Sequence, residues 1–509
     1  MSSDDTPLLT TYLFVSTGIS TDELTELITQ LTESHIMVNI CRPDDQLVDH
    51  HPKKPRVFVS LGSGWEEFKT LRNLPLHERK RWLHFHSPTE IQPYNLFHCW
   101  LKHTDPLPEK RTIPPTRFTS DTPLVSVFTA SYKSKGKIQR PYHSLLNQTY
   151  QNWEWVIVDD SGDEDETYHQ SLLPLEDSRI RRFRQDKRNG YIGAIKRYAA
   201  GLCTGEILVE VDHDDELTPD CLEKIVHAFQ QHPDCGFVYG DCTEVYAESK
   251  NAHWYGWDCG YGYSIHYRVW IHEMNRWQNV QKHTTINRNT IRHLVGLPNH
   301  PRAWTRDCYH LVGGHREELL VADDYDLLVR TFLCTKFAAI PDLVYIQYRN
   351  ENGNNFTFIR NKQIQILVNE LRIFYQNRIL DRFKELGLPE LFPYRRVWET
   401  PPGDPSRKSV HIIDENPAKK SFLYPIPYSL PPGDNTHLYN TLNKALENNF
   451  SEIEVVVVGN VPSDVIRFAS KAPTGAIRWW PMEPNDSLET CIEYAKYCAS
   501  CKEKEVVMP

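Results

Sequence analysis

Short apolar runs alternate with amphipathic segments through the middle of the chain, from Leu124 onward. The runs cover residues 125–128, 153–158, 180–183 and 207–211, and each has the length of a strand. Runs that are apolar on both faces are typical of strands buried in a parallel sheet, and the segments between them have helical periodicity. Repeated strand–helix units of this length predict an α/β domain with a right-handed, mostly parallel sheet.

The N-terminal region shows the same alternation in a shorter form. Strand patterns lie at residues 12–15, 37–40 and 56–61, and a helical pattern follows the capping residue Ser20. Residues 1–103 are therefore predicted to form a small α/β domain with an accessory or docking role.

The C-terminal region echoes the central one. Its apolar runs at 453–458 and 477–480 repeat the order and spacing of those at 154–158 and 180–183. The echo stops where a second acidic strand end would begin, so a native end and a truncation of a longer protein both fit. Residues 410–509 are predicted to be a partial module for packing, homo-oligomerisation or acceptor docking.

Two proline-rich stretches separate these regions. Residues 104–123 and 389–409 are polar and rich in proline, which predicts extended linkers. The central domain is accordingly expected over residues 124–388.

Composition excludes several classes of protein. A net charge of −10 with no basic stripe argues against a nucleic-acid binder. No apolar run approaches the about 18 residues needed to span a bilayer, and the first residues lack the pattern of a signal peptide. The 12 cysteines are scattered without a disulfide or zinc framework. These features favour a soluble, reduced cytoplasmic protein, with peripheral membrane association left open.

Carboxylates follow two of the predicted strands. Asp159 and Asp160 end one run, and Asp212 and Asp214 follow another. Because ligands in open α/β sheets bind at the carboxyl ends of the strands, these acids are expected at one edge. Crowded hard oxygen ligands suit Mg²⁺ or Mn²⁺ carrying a phosphorylated ligand, and the alternative for a bare Asp-x-Asp is a solvated acidic turn.

The order of the motifs resembles glycosyltransferase family 2, whose members have the GT-A fold. The matching stretches are VSVFTASY at 125–132, LLNQTY at 145–150, EWVIVDD at 154–160 and VDHDD at 211–215. The resemblance covers roughly residues 121–375. It implies a nucleotide-sugar donor such as a UDP- or GDP-sugar, a divalent metal and inversion at the anomeric carbon.

The resemblance also implies roles for single residues. Asp160 would contact the nucleoside, Asp212 the ribose or the metal, and Asp214 the metal, which is expected to be Mn²⁺ or Mg²⁺. Lys196 falls where the family often places a basic residue near the diphosphate. The residues expected to bind the donor nucleotide are Thr129, Ser131, Asp159, Asp160, Lys196 and Asp212. Residues 345–350 lack the late histidine ligand of many GT-A enzymes, so either Asp-x-Asp and phosphates hold the metal or metal dependence is weak.

A second acidic pair, Asp323 and Asp324, follows a Gly-Gly segment at 313–314. In the family, such a pair opens a helix and supplies the catalytic base, for which Asp324 is favoured and Asp323 is the alternate. The other interpretation is a helix cap, since aspartate is favoured at helix starts. A carboxylate there would deprotonate the acceptor hydroxyl while a metal and basic groups stabilise the departing diphosphate.

An aromatic-rich stretch lies between these two acidic motifs. Aromatic faces stack on sugar C–H surfaces, although ordinary core packing is equally compatible with the pattern. The residues predicted to contact the acceptor or the sugar are Trp254, Trp257, Tyr261, His293, Asn299 and Trp304.

These patterns converge on one function. The chain is predicted to be an enzyme that moves a sugar from a nucleotide-sugar donor to a hydroxyl of a glycan or glycoconjugate. The alternatives are an inactive protein that binds nucleotide sugars or glycans and, from another enzyme class, a nucleotidyltransferase. The absence of a Gly-rich nucleotide loop near residues 129–137 counts against the last.

Overall fold

The described residues of a computed structural model form four β-sheets. It describes residues 6–47, 55–107, 109, 111–162, 177–249, 266–271, 274–281, 286, 291, 298, 300–349, 359–387, 394–399, 409–414, 419–427, 435–448, 452–460, 462, 465, 477–481, 487–499, 501 and 503–508. Among the helices of these residues, none is long and apolar enough to cross a membrane.

The N-terminal unit is a four-stranded parallel sheet with its helices. Its strands are β1 (Leu9–Val15), β2 (Ile36–Cys41), β3 (Arg56–Leu61) and β4 (Trp82–Phe85) in the order β2-β1-β3-β4. Its helices are α1 (Thr21–Glu33), α2 (Lys69–Arg72), α3 (Leu76–Arg79) and α4 (Pro93–Thr104). The Ser20 hydroxyl accepts a hydrogen bond from the Glu23 amide, which caps α1 as its sequence indicated.

The central sheet has ten strands. They are β5 (Val125–Ser131), β6 (Trp153–Asp159), β7 (Ile180–Arg184), β8 (Ile207–Glu210), β9 (Glu216–Leu217), β10 (Cys235–Tyr246), β11 (His266–Ile271), β12 (Arg276–Gln281), β13 (Arg302–Thr305) and β14 (Lys336–Arg349). β7-β6-β5-β8 are parallel, and β13 then runs antiparallel between β8 and β10. β14 pairs in parallel with β10 along its length.

Helices cover both faces of this sheet. They are α5 (Gln139–Leu146), α6 (Ile192–Leu202), α7 (Cys221–Gln231), α8 (Arg306–Leu311), α9 (Asp323–Cys334) and α10 (Asn361–Glu385). Every residue of β6 and β8 is buried, which explains why these runs are mostly apolar instead of alternating. The α/β class and the mostly parallel sheet expected from the sequence are confirmed.

The C-terminal region repeats half of the central topology. A hairpin of β15 (Tyr394–Glu399) and β16 (Ser409–Asp414) precedes a four-stranded parallel sheet. Its strands are β17 (Lys420–Ile426), β18 (Ile453–Gly459), β19 (Ile477–Pro481) and β20 (Glu503–Val506), with helices α11 (Thr436–Glu447) and α12 (Leu488–Cys498). The order β19-β18-β17-β20 reproduces β7-β6-β5-β8 strand for strand.

Side-chain contacts repeat along with the strands. In the central unit, the Ser126 hydroxyl donates to Glu154 and accepts from the Gly205 amide. In the C-terminal unit, the Ser421 hydroxyl donates to Glu454 and accepts from the Cys501 amide. The internal echo in the sequence therefore corresponds to a repeated structure.

The backbone at Gly205, just before β8, lies very close to the backbone of β5 and the residue before it. This close contact leads to a prediction. A Cβ atom there would lie 2.5 Å from the Leu124 carbonyl oxygen and 2.8 Å from the Ser126 nitrogen. We expect Gly205→Ala to lower the free energy of unfolding by about 1–3 kcal/mol, because backbone must shift. Gly201 is the control: it lies in α6 with nothing within 4 Å, so Gly201→Ala should stabilise by about 0.5–1 kcal/mol. Urea unfolding of both variants checks the pair, and equal effects would contradict the contact.

Candidate active site

Four elements bring acidic and basic side chains to one edge of the central sheet. β6 and β8 flank β5 and end at this edge, where Asp159 pairs with Ser131 and Glu210 with Phe128. β13 runs antiparallel to β8 and sets Arg302 opposite Glu210. α9 begins nearby at Asp323–Asp324.

A buried ion pair lies at the centre of the site. The Lys196 ammonium is 2.6 Å from Glu210 Oε1, and these residues are 6% and 1% exposed. Burial alone would raise the pKa of Glu210, but the charge of Lys196 and the nearby imidazoles of His300 and His315 hold that pKa well below its usual range. Burial opposes the charge of Lys196, and Glu210 and Asp323 nevertheless raise its pKa. Both groups are therefore charged.

His315 connects this pair to the start of α9. The imidazole is fully buried, with Nε2 3.5 Å from Glu210 Oε2 and 3.7 Å from Asp323 Oδ2. Its amide donates to the Tyr309 hydroxyl oxygen, and its Nδ1 lies 2.7 Å from that oxygen. Because this arrangement suits a hydroxyl that donates to Nδ1, we assign a ring proton to Nε2, which faces the two carboxylates.

The two aspartates that open α9 differ in environment. Asp323 is 5% exposed, and burial raises its pKa despite the nearby charges of Lys196 and His315. The Asp324 side chain is 25% exposed and accepts from Arg302 Nη2 at 3.1 Å. Burial opposes the ionisation of Asp324, but Arg302 and Lys196 lower its pKa. Of the pair, Asp324 is the more exposed carboxylate and the one whose pKa is lowered.

Glu210, Asp212 and His300 form a cluster that could hold a metal ion. One ligand atom from each lies within 4.8 Å of the others. His300 Nε2 is 3.9 Å from both Glu210 Oε1 and Asp212 Oδ2, and it is buried with no hydrogen-bond partner among the described residues. Two ligands of one cation lie about 3–4 Å apart, so Asp212 and His300 fit a divalent ion. Glu210 fits less well, because Lys196 already occupies Oε1.

Asp214 and Asp215, which follow Asp212 in the Asp-x-Asp loop, make contacts outside this cluster. Asp214 Oδ2 lies 3.8 Å from Lys137 Nζ, and the Asp214 carbonyl accepts from Arg140. Asp215 is buried and accepts from the Tyr345 hydroxyl at 2.9 Å, while burial and its acidic neighbours raise its pKa well above the usual range. The metal-compatible cluster among the described residues thus includes Asp212 but not Asp214.

The acids after β6 organise the loop before α6. Asp160 accepts from the amides of Asn189 at 2.6 Å and Gly190 at 2.9 Å, and burial raises its pKa. Asp159 accepts from the Ser161 amide and hydroxyl. Donor binding by these two acids stays a prediction.

Other predicted donor contacts are buried in the structure. The Thr129 hydroxyl donates to the Val211 carbonyl and accepts from Trp155 Nε1, so it joins the strand ends. Ser131 Oγ is 2.7 Å from Ser134 Oγ, and both residues are buried. Lys196 is engaged by Glu210, as described above.

One predicted sugar contact is wrong. Trp304 is 0% exposed, packs against Phe237 and Tyr309, and donates to the Thr331 hydroxyl. It belongs to the core because β13 is an interior strand. The other predicted contacts, Trp254, Trp257, Tyr261, His293 and Asn299, lie outside the described residues.

Several site residues escaped the sequence analysis. Glu210 was hidden within an apolar run, although a carboxylate inside a buried strand is itself a signal of a partner. His300 and Arg302 lie before and in β13, which reaches the site only by pairing antiparallel with β8. The sequence contained no indication of that pairing.

Comparison with known proteins identifies the class. Residues 126–295 match the model of glycosyl transferase family 2. The chain is 24% identical to the chondroitin synthase of Pasteurella multocida strain Pm70, over 69% of this chain and 34% of the relative. It is 26% identical to the hyaluronan synthase of Pasteurella multocida, over 60% of this chain and 29% of the relative. The chain spans less than half the length of the curated relatives it matches.

A solved structure is similar to about half of the chain. The 1–349 fragment of S. aureus TarS in complex with UDP-GlcNAc is 16% identical and covers 51% of this chain and 72% of that chain, with a TM-score of 0.35. The family match identifies residues 126–295 as a domain of glycosyltransferase family 2, in agreement with the α/β sheet and its acidic strand ends. It confirms the resemblance drawn from the sequence.

The ion pair between Lys196 and Glu210 generates a stability prediction. We expect Lys196→Met to cost about 3–5 kcal/mol of unfolding free energy at pH 7, because it leaves a buried carboxylate without its cation. The pKa of Glu210 is depressed by folding, so the pair stabilises the protein above the unfolded value of about 4.3 and this stability is lost as pH falls through the folded pKa. The cost should therefore shrink toward acidic pH.

Urea unfolding at pH 7 and at about pH 3, below the unfolded pKa of about 4.3, measures this difference. Lys224 is the matched control, since it pairs with Asp220 at 2.8 Å on the partly exposed surface of α7. Lys224→Met should cost about 0–1 kcal/mol at either pH. A cost for Lys196→Met as small as that of the control would contradict the buried pair.

Proposed function

We propose that this protein transfers a sugar from a nucleotide-sugar donor, a UDP- or GDP-sugar, to a hydroxyl of a glycan or glycoconjugate, with inversion and with a divalent metal. The observation that carries the proposal is that Arg302 lies between Asp324 and Glu210, and that Glu210 clusters with Asp212 and His300. Arg302 Nη1 is 3.7 Å from Glu210 and Nη2 is 3.1 Å from Asp324. An ionised base thus lies one side chain from the candidate metal ligands.

Different residues of the chain would have different roles in the reaction. Asp324 would accept the proton of the acceptor hydroxyl as the oxygen attacks the anomeric carbon. Its lowered pKa keeps it ionised at neutral pH, and Arg302 fixes its direction. The carboxylates after β8 and His300 would hold the diphosphate end of the donor through Mn²⁺ or Mg²⁺. The ion supplies Lewis-acid stabilisation of the charge on the leaving diphosphate.

The relatives support a glycan acceptor. Chondroitin synthase and hyaluronan synthase are named for the polysaccharides they make. A cytoplasmic location is part of the proposal, since the described cysteines are all free thiols, as is usual in reducing compartments.

The decisive experiment incubates the protein with a panel of UDP- and GDP-sugars, Mn²⁺ and oligosaccharide acceptors. Release of a nucleoside diphosphate with a matching glycan product supports the proposal. Release of pyrophosphate would instead indicate a nucleotidyltransferase. Donor binding by calorimetry without turnover on any acceptor would indicate a binding protein.

Asp324→Asn tests the base. We expect kcat to fall about 10²- to 10⁴-fold, because the amide cannot accept the proton. Donor affinity should change little, since the donor contacts proposed above do not include Asp324. Steady-state kinetics and calorimetry separate the two effects, and the assignment moves to Asp323 if Asp323→Asn alone abolishes turnover while Asp324→Asn retains it.

His300→Gln tests the metal site. We expect it to raise the Mn²⁺ concentration required for half-maximal donor binding about 10- to 100-fold. Asp212→Asn should act in the same direction. His227 is exposed on α7, so His227→Gln serves as the control and should leave the Mn²⁺ titration unchanged. A titration unaffected by both site variants would exclude the cluster as the metal site.

A further inference from the structure

Residues 315–322 form a segment that begins and ends at the candidate active site and contacts the N-terminal unit in between. At the first end, His315 contacts Glu210 and Asp323. Immediately after it, Arg316 and Glu318 contact α4 and the region of β4. Asp323 and Asp324 follow directly in the chain, so the segment ends at the proposed base.

Glu318 is held by two donors from the N-terminal unit. Its Oε2 accepts from Trp100 Nε1 at 2.7 Å, and its Oε1 accepts from Arg81 at 3.3 Å. Trp100 is fully buried, which makes its indole a fixed donor. The contact therefore sets the position of Glu318 relative to α4.

Arg316 continues the connection into α9. Its guanidinium donates to the Leu101 carbonyl and the Thr104 hydroxyl of α4, and to Asp326 Oδ1 at 2.9 Å in the first turn of α9. Asp326 is 0% exposed and also accepts from Arg330. The helix that carries Asp324 is thus linked to the N-terminal unit through buried charges.

Close packing leaves this segment little freedom to move. A Cβ on Gly193 of α6 would lie 2.5 Å from the Arg316 carbonyl oxygen and 3.2 Å from Asp323 Cβ. Gly313 has a φ of +89°, and a Cβ there would lie 2.5 Å from Pro106 in the segment after α4. A shift of the N-terminal unit would therefore displace the segment as well.

We propose that the N-terminal unit positions the catalytic base, and that Glu318 is the positioning residue through which it does so. This inference rests on the glycosyltransferase function proposed above. Glu318 touches neither donor nor acceptor in this scheme. It holds the segment 315–322, and with it the first turn of α9, so that Asp324 faces the reacting hydroxyl. Orientation of this kind is sensitive, since a misplacement of about 1 Å can cost 100-fold in rate.

Glu318→Ala tests the inference by separating kcat from KM. We expect kcat to fall about 10- to 100-fold while KM for the donor stays within about twofold, because the donor site lies on β6 and β8. Hydrogen exchange should quicken at the amides of residues 319–326 and stay unchanged in β5 and β6. Arg81→Met removes the partner from the other side and should have a smaller effect of the same kind.

The contact itself is tested by the double variant. If Glu318 and Arg81 act through each other, the double variant should lose less than the product of the two single losses. Glu78→Ala is the matched control: Glu78 is paired with Arg56 at 2.7 Å in the same unit, and its described contacts do not reach residues 315–322. All variants are assayed below their melting temperatures, and the control should keep the wild-type kcat.

Two outcomes would overturn the inference. Equal losses of kcat in Glu318→Ala and Glu78→Ala would indicate general destabilisation, and wild-type kcat in Glu318→Ala would show that the contact does not position the base. Failure of the proposed function is distinguishable, because the wild-type protein would then show no transfer. Hydrogen exchange at residues 319–326 still reports the positioning contact in that case, and unchanged exchange in Glu318→Ala would reject it.

Discussion

The candidate site depends on one buried ammonium. Glu210, Asp323 and Asp324 converge with Asp212 at the edge of the central sheet, and such crowding of carboxylates away from water is unfavourable without a compensating charge. Lys196 supplies that charge from α6 at 2.6 Å from Glu210, and it lies 3.8 Å from Asp323. Because the Lys196 ammonium is already paired with carboxylates inside the protein, the more exposed acids remain available for ligands. The basic residue that the motif order suggested for the diphosphate thus has a role in assembling the site.

Arg302 supplies a second positive charge to the site. Its guanidinium lies between Glu210 and Asp324, so the proposed base keeps its ionised form although it is largely buried. Asp323, one residue earlier, faces Lys196 and His315 and has a raised pKa instead. Two adjacent carboxylates in one helical turn therefore have different protonation behaviour, because the helix directs one inward and the other toward the cleft.

The N-terminal unit is packed as part of the central domain and not as a tethered accessory. One hydrophobic cluster contains Leu96 and Trp100 of α4 together with Leu371 and Tyr375 of α10. The C-terminal unit has its own core, in which the β17–β20 sheet repeats the β5–β8 arrangement down to the Ser421–Glu454 contact. The acids at 159–160 are replaced there by Gly459 and Asn460, so the repeat retains the fold without the acids that are predicted to bind the donor.

The sequence by itself determined the α/β class, the strands β5 to β8, the acidic strand ends and the internal repeat. These features are local: apolar runs and the residues that follow them lie next to one another in the chain. Tertiary structure decided which side chains meet. His300 and Arg302 join Asp212 and Glu210 because β13 enters antiparallel beside β8, and Trp304 is buried for the same reason. Strand pairing across about 90 residues of intervening chain leaves no periodic pattern in the sequence, so those partners could be identified only in the folded protein.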